Sequence, residues 1–211
     1  MKYLDIVQRG RFIVIYGPNN VGKSTQIDLL SKKLITQYHI QIMILKYPIY
    51  TLEPTGPQLY QIIKKNKNKQ KITDLELQAL YAQNRRDFQT TLESCLKAGI
   101  NVVAEDYIGT GLAWGVTKGL PLKSLLKVNN YLLTPDLSIL MDGKRFVQAI
   151  EKGHIFEDSP NEIWNKNREI HLNLAEKFKW NIVKSDDTVE KVHKNIWEYV
   201  SKEMDLSKVS Y

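Results

Sequence analysis

The chain has 211 residues, of which 43% are hydrophobic and 25% charged, and its formal net charge is +7. This length and composition are typical of one soluble globular domain spanning residues 1–211, and no apolar run reaches the roughly 18 residues of a membrane span. The first residues lack the apolar stretch of a signal peptide and the single cysteine, Cys95, excludes an internal disulfide framework, so we expect a cytoplasmic protein with no membrane partner.

The first predicted strand, residues 11–16, leads directly into a phosphate-binding motif. Residues 17–25 read GPNNVGKST and fit the P-loop pattern G-x-x-x-x-G-K-[S/T]. Residues 26–35 follow with the apolar spacing of a helix, so strand, loop and helix occur in the order that the motif needs. Gly17 and Gly22 permit the turn and let backbone N–H groups approach phosphate oxygens.

The loop residues have separate expected roles in binding a nucleoside triphosphate with Mg²⁺. Lys23 is expected to reach the β- and γ-phosphates, and the Ser24 hydroxyl is expected to ligate Mg²⁺. The positive end of the following helix faces the same phosphate oxygens. The residues predicted to bind the nucleotide are Gly17, Asn20, Val21, Gly22, Lys23, Ser24 and Thr25.

The rest of the chain alternates strand-like and helix-like segments. Further strands are predicted over residues 40–45, 100–104, 137–141 and 180–183. Helices are predicted over residues 56–65, from the capping box of Thr73 and Glu76 to Gly99, over residues 161–179, and after an Asp187 cap. This alternation predicts a three-layer α/β/α fold, with a mainly parallel sheet of about five strands and helices on both faces.

In such sheets, ligands bind outside the carboxyl ends of the strands. Two short polar and aromatic segments fall at these ends. The first is Lys46, Tyr47 and Pro48 after the second predicted strand, and the other is Glu105, Asp106 and Tyr107 after the third. We therefore expect both segments to lie beside the P-loop.

The order and content of these strand ends resemble the thymidylate kinases, P-loop kinases that phosphorylate dTMP with ATP. The resemblance covers nearly the whole chain and is carried by residues 46–48 (KYP), 53–59 (EPTGPQL), 80–85 (LYAQNR) and 103–111 (VAEDYIGTG). It implies an Mg²⁺-dependent dTMP kinase with an acceptor-binding region at about 46–88 and a lid at about 143–158. It also implies a homodimer.

The resemblance assigns the acceptor base to a pair on one helix face. It implies that Tyr81 stacks on the base and that Arg85, four residues later, hydrogen-bonds the carbonyl edge of the base. A core aromatic at Tyr81 and a solvated charge at Arg85 are the alternatives. Trp114 falls where the family places an aromatic near the base, and it could equally belong to the core. The other acceptor contacts expected are Asn19, Lys46, Tyr47, Pro48, Tyr107 and Thr110.

The resemblance also places the catalytic groups. Glu105 falls near the transferred phosphoryl group, where a carboxylate can hold Mg²⁺ directly or through water, and Asp106 is expected to organise the acceptor end. The lid must bring cations to the donor phosphates and exclude water. Its candidates are Lys144, Arg145, Lys152 and His154. We expect Arg145 to act, because its guanidinium is planar and permanently charged.

Three positions depart from the family pattern. Asn19 stands in place of the P-loop acid, Leu52 in place of an arginine, and Asp106 in place of the arginine of the Asp-Arg-Tyr motif. An acceptor phosphate carries a charge of about −1.5 to −2 at neutral pH and would be repelled by Asp106. We therefore expect Lys46 to supply positive charge there.

These departures leave other functions open. One is a deoxynucleoside kinase, in which Glu105 or Asp106 would act as general base on a 5′-hydroxyl. Another is a kinase for a different or modified pyrimidine nucleotide. A P-loop nucleic-acid-binding protein is the alternative of another class. The basic run at residues 64–71 has no interleaved aromatic residue, so we expect a solvated loop there and no nucleic-acid partner.

Overall fold

The structure is a computed structural model that describes residues 8–64 and 72–206. All of the basic run except Lys64 lies outside the described residues, so its predicted loop conformation stays a prediction. Among the described residues, no helix is both long and apolar enough to cross a membrane.

Five strands form one sheet in the order β2-β3-β1-β4-β5. The strands are β1 (Phe12–Tyr16), β2 (Ile42–Lys46), β3 (Asn101–Glu105), β4 (Leu137–Asp142) and β5 (Asn181–Lys184). All four pairings are parallel, which confirms the predicted sheet. The carboxyl ends of β1, β2 and β3 therefore meet at one edge. There, Ile15 of β1 is in register with Glu105 of β3, and Glu105 is in register with Lys46 of β2.

Seven α-helices within the described residues accompany the sheet. They are α1 (Lys23–Tyr38), α2 (Thr55–Ile63), α3 (Asp74–Lys97), α4 (Ile108–Thr117), α5 (Leu122–Val128), α6 (Asn161–Phe178) and α7 (Val189–Glu203). A short 3-10 helix, Val147–Ala149, lies in the connection between β4 and α6.

The central strand β1 shows why the helices lie on both faces. Its residues are all buried, and alternate side chains point to opposite faces of the sheet. Ile13 and Ile15 join a core cluster with apolar residues of α1 and α7. Phe12, Val14 and Tyr16 join a second cluster, which includes side chains of α3 and α6. Both faces are therefore covered, as the three-layer prediction requires.

The helix ends follow the expected capping chemistry with one correction. The Thr73 side chain accepts a hydrogen bond from the Glu76 backbone N–H and Glu76 reaches back to Thr73, which confirms the capping box of α3. The predicted Asp187 cap of α7 was wrong. Thr188 is the cap residue, because its hydroxyl oxygen accepts from the backbone N–H of Lys191, while Asp187 lies one residue too early.

Helices α4 and α5 were not predicted. Helix α4 contains Gly109, Gly111 and Gly115, and glycine disfavours helix formation. Packing explains two of them, since a Cβ on Gly109 would lie 2.4 Å from the Trp180 ring and one on Gly115 would lie 2.5 Å from Leu125. The glycines thus allow α4 to approach its neighbours, a tertiary reason that local propensity cannot reveal.

Candidate active site

A cavity of about 950 Å³ opens at the carboxyl edge of the sheet. Its walls come from the P-loop, the ends of β2 and β3, helices α3 and α4, and the connection after β4. The predicted site residues that line it are Asn19, Asn20, Val21, Gly22, Lys23, Ser24, Thr25, Lys46, Tyr47, Pro48, Tyr81, Arg85, Glu105, Asp106, Tyr107, Thr110 and Trp114. Gly17 and three of the lid candidates, Lys144, Arg145 and Lys152, do not line this cavity, whereas the lid candidate His154 does.

The P-loop connects β1 to α1 in a conformation that suits glycine. Gly17 has φ of 155° and Gly22 has φ of 91°, and a Cβ on Gly17 would lie 2.7 Å from the backbone oxygen of Met141. The buried Lys23 side chain folds back over this turn, and its Nζ donates to the oxygens of Gly17 at 3.0 Å and Pro18 at 3.1 Å. The lysine charge is thus held at the loop that begins α1.

Two carboxyl groups at the end of β3 face the loop. The Ser24 Oγ donates to Glu105 Oε2 at 2.7 Å, and the Lys46 Nζ lies 2.9 Å from Glu105 Oε1. The other acid, Asp106, has its Oδ1 3.7 Å from the Lys23 Nζ, and this oxygen accepts from the Thr110 hydroxyl at 2.7 Å. The two lysines thus pair with the two acids across the cavity.

The surroundings of Glu105 and Asp106 shift the pKa values of these two acids in opposite directions. Burial opposes ionisation of Glu105, but Lys23 and Lys46 outweigh burial and hold the pKa of Glu105 below its usual range. Burial raises the pKa of Asp106; the charge of Lys23 opposes this rise and Glu105 adds to it. Glu105 is therefore the carboxylate that stays ionised, whereas Asp106 keeps its proton to higher pH than an ordinary aspartate.

The other end of the cavity holds the predicted base-binding pair. Arg85 is only 3% exposed, and its Nη1 and Nη2 donate to Asn129 Oδ1 and to the Tyr107 oxygen, each at 2.9 Å. Its guanidinium carbon lies 6.0 Å from the centre of the Tyr81 ring. The alternative of a solvated charge at Arg85 was therefore wrong.

Aromatic rings form the wall beside this pair. Trp114 lines the cavity and also packs in a core cluster with Leu59 and Leu77, so it belongs to the core, and its contact with a base stays a prediction. Its ring centre lies 4.5 Å from that of Phe156, a residue that the sequence did not single out. Flat apolar walls of this kind suit an aromatic base.

Several supporting residues escaped prediction. Asn84 accepts from the Ile49 backbone N–H at 2.8 Å and donates to the Thr55 hydroxyl at 3.0 Å, so it fixes the segment between β2 and α2. Asn129 orients Arg85. Gln78 lines the cavity seven residues, or about two helical turns, before Arg85 on α3. That spacing was the available signal for Gln78, while Asn129 carried none.

The predicted lid, residues 143–158, rests on the P-loop. The Asn20 Nδ2 donates to the Ala149 oxygen at 2.8 Å, and the Phe146 N–H donates to the Asn20 oxygen at the same distance. Lys64 and Glu151, which both line the cavity, form an ion pair. His154 lines the cavity, and its Nδ1 accepts from the backbone N–H of Glu157 at 3.1 Å.

Arg145 has a position that its charge alone did not indicate. Its Nη1 donates to the Ser159 oxygen at 2.9 Å and to Asn161 Oδ1 at 3.0 Å, and its Nη2 donates to the Glu157 oxygen. The guanidinium thus ties the first part of the lid to the residues that lead into α6. In this arrangement it points to backbone carbonyls instead of the cavity.

The donor atoms near the loop suit Mg²⁺. No group of three or more His, Cys, Asp or Glu side chains within residues 8–64 and 72–206 is placed to hold a metal unaided. However, Mg²⁺ is usually bound through one or two protein oxygens together with substrate phosphates. The hydroxyl of Ser24 beside the ionised carboxylate of Glu105 provides such oxygens at the phosphate end of the cavity.

Comparison with known proteins agrees with this geometry. The chain matches the family model described as thymidylate kinase over residues 15–196. A protein of Invertebrate iridescent virus 6 that carries the name thymidylate kinase 251L is 30% identical over 207 residues, which cover 96% of this chain and 94% of the viral one. A protein of Pyrococcus abyssi named as a thymidylate kinase is 31% identical over 208 residues, covering 93% of this chain and 98% of its own.

A solved structure shares the fold. The thymidylate kinase of Candida albicans superimposes with a TM-score of 0.78 at 22% sequence identity, and the match covers 93% of each chain.

Proposed function

Because this chain belongs to the thymidylate kinase family, we propose that it transfers the γ-phosphoryl group of ATP to dTMP, giving ADP and dTDP. The observation that carries this proposal is the single cavity with a phosphate-binding loop at one end and the buried Arg85 beside Tyr81 at the other. A donor triphosphate and an acceptor nucleotide would meet between these ends.

At the donor end, the loop amides and Lys23 hold the phosphates of ATP. Lys23 is already fixed by the oxygens of Gly17 and Pro18, so little side-chain order is lost when phosphate binds. Ser24 and Glu105 would hold Mg²⁺, which when bound neutralises phosphate charge. Remaining loop contacts come from Asn20, Val21, Gly22 and Thr25.

At the acceptor end, Tyr81 and Trp114 enclose the base and Arg85 donates to its carbonyl group. Lys46 supplies the positive charge that Leu52 and Asp106 do not, since its side chain is 64% exposed and lines the cavity. The neighbouring acceptor contacts are Asn19, Tyr47, Pro48, Tyr107 and Thr110. Transfer then depends mainly on in-line positioning and charge neutralisation.

In this proposal Arg145 acts by holding the lid in position. Its hydrogen bonds to the Ser159 oxygen and to Asn161 Oδ1 hold the lid at the start of α6, where closure excludes water. The enzyme would work in the cytoplasm as a homodimer, which the family resemblance supports.

A deoxynucleoside kinase remains the second candidate. The observation in its favour is Asp106, a carboxyl group only 15% exposed that lines the cavity where the acceptor phosphate would lie. A carboxylate there could take the proton of a 5′-hydroxyl.

A screen of acceptors separates the two functions. Purified protein with ATP and Mg²⁺ is assayed for ADP formation with dTMP, dUMP, dCMP, UMP, dGMP and thymidine. We expect the highest kcat/KM with dTMP. Turnover of thymidine but not of dTMP would replace the proposal with the nucleoside kinase.

A further inference from the structure

The side chain of Gln78 carries a buried oxygen that makes no hydrogen bond within the described residues. Gln78 is 3% exposed, and its Oε1 has no hydrogen-bond partner among residues 8–64 and 72–206. A buried amide oxygen that is left unpaired destabilises a protein, so such atoms are usually explained by a bound water or ligand. Gln78 lines the cavity, so this amide lies beside the space that an acceptor would occupy.

Gln78 Oε1 and the Arg85 guanidinium both lie next to Gly111, at the place where this glycine lacks a side chain. The point where a Cβ of Gly111 would lie is 3.1 Å from Gln78 Oε1 and 2.9 Å from Arg85 Nη2. Gly111 itself lines the cavity, so its lack of a side chain leaves the space between the two groups open. The cavity thus presents an acceptor and a donor side by side.

The two groups have opposite hydrogen-bonding character. Arg85 is a donor only, and besides the Nη atoms already in use its Nε–H is buried without a partner in the described chain. The Gln78 Oε1 is an acceptor. Their complement is a base edge with a carbonyl oxygen next to a ring N–H. Thymine, uracil, guanine and hypoxanthine have such an edge, whereas cytosine presents an amino group next to an unprotonated ring nitrogen.

We propose that Gln78 is a specificity-determining residue that accepts a hydrogen bond from the N3–H of thymine, while Arg85 donates to O4. This inference rests on the proposed dTMP kinase function and extends it to the choice of base. The aromatic walls of Tyr81, Trp114 and Phe156 hold one flat ring in this position. Cytosine is rejected because its amino group would face the donor-only Arg85 and leave Gln78 unpaired.

The test compares substrates that differ only at this edge. Wild type, Gln78→Leu and the control Gln83→Leu are assayed with dTMP, N3-methyl-dTMP, dCMP and dGMP. Gln83 is exposed on the same helix, where it donates to Asp87, and it does not line the cavity. For Gln78→Leu we expect the KM for dTMP to rise about tenfold with little change in kcat, and the preference for dTMP over N3-methyl-dTMP to fall by a similar factor. Gln83→Leu should keep the wild-type values.

If Gln78→Leu prefers dTMP over N3-methyl-dTMP by the same factor as wild type, the inference about Gln78 is overturned and the proposed kinase function stands. Absence of dTMP turnover by wild type would overturn both. The assay with dGMP tests the aromatic walls, since guanine has the same hydrogen-bonding edge on a larger ring system. Turnover of dGMP equal to that of dTMP would contradict the idea that the walls admit one ring only.

A second variant keeps the test decisive if Gln78→Leu does not fold. Gly111→Ala places a methyl group between Gln78 and Arg85, and the backbone of Gly111 lies in helix α4 without a positive φ. We expect its KM for dTMP to rise about tenfold or more while its KM for ATP stays unchanged. Unchanged KM values for both substrates would contradict the proposed position of the base.

Discussion

At the scale of single residues, the site depends on charges that are held before any ligand binds. Lys23 lies against the oxygens of its own loop, and Glu105 is ionised between Ser24 and Lys46. Charges that are already in place need no reorganisation during the reaction, which is why preorganised electrostatics contribute strongly to catalysis. Removal of a single such charge should therefore affect turnover more than folding.

Lys23→Ala tests the donor end. We expect kcat to fall by about 10²- to 10³-fold, because the variant loses a positive charge next to the transferred phosphoryl group. Lys32→Ala, on an exposed position of the same helix, is the matched control and should keep wild-type kcat. Circular dichroism of both variants checks the fold, and normal turnover by Lys23→Ala would refute the donor site.

Asp106→Asn tests the acceptor end through its pH dependence. Burial raises the pKa of Asp106, so its negative charge appears only at a pH above the ordinary aspartate range, near 4. At higher pH the ionised group repels the acceptor phosphate. We expect the variant to lower the KM for dTMP by about threefold at pH 8, with a smaller difference as the pH falls. A higher KM, or loss of thymidine phosphorylation, would instead indicate that Asp106 assists the acceptor.

At the scale of elements, the strand ends are held by ion pairs as well as by the sheet. Asp142 at the end of β4 is buried and accepts from Arg168 Nε of α6 at 2.5 Å, and it also pairs with Lys184 of β5. This one carboxylate therefore joins three elements beneath the lid.

Asp142→Asn should weaken this junction in a pH-dependent way. Burial opposes ionisation of Asp142, but hydrogen bonds from Arg168 and Lys184 outweigh burial and hold its pKa below the usual range. A carboxyl group with a lowered native pKa stabilises the fold above its unfolded pKa, and this stabilisation is lost as the pH falls through the native value. We expect the variant to lose about 2 kcal/mol in urea unfolding at pH 7. The difference should begin to shrink as the pH falls below about 4, the ordinary aspartate value, and should be lost below the lowered native pKa. A difference that stays constant with pH would contradict the role of the charge.

The lid connection makes a separate prediction for Arg145. Arg145→Ala removes the hydrogen bonds to the Ser159 and Glu157 oxygens, so limited proteolysis within residues 143–158 should become faster. We expect kcat to fall about tenfold with little change in the KM for dTMP. The control is Lys144→Ala, at the exposed residue immediately before Arg145. Equal effects of the two variants would argue against a specific role of Arg145.

The same elements show which parts of the structure can be predicted from the sequence and which cannot. Strand β1, the P-loop and α1 follow from a continuous apolar run, two glycines and helical spacing, all of which are local. Helix α4 could not be predicted, because its glycines are explained by contacts with Trp180 and Leu125 that only the folded chain creates. Arg145 is similar: its charge identifies a lid cation, but the carbonyls that orient it lie 12 to 14 residues later.

At the scale of the whole molecule, the parallel sheet brings distant segments to one cavity. Strands β1, β2 and β3 end at the same edge, so the P-loop, Lys46 and Glu105 become neighbours although they are far apart in the chain. The net charge of +7 favours the approach of polyanions such as nucleotides. The cavity has a volume of about 950 Å³, and its two ends differ in the chemistry that they offer.

The most direct measurement is a crystal structure of the protein with ADP, Mg²⁺ and dTMP. We expect the ADP phosphates to bind the loop amides beside Lys23, and the thymine ring to lie between Tyr81 and Trp114 with its O4 at Arg85. The dTMP phosphate should point towards the β-phosphate of ADP. A dTMP molecule bound outside this cavity, or bound in it with its base turned away from Arg85, would contradict the proposed dTMP site.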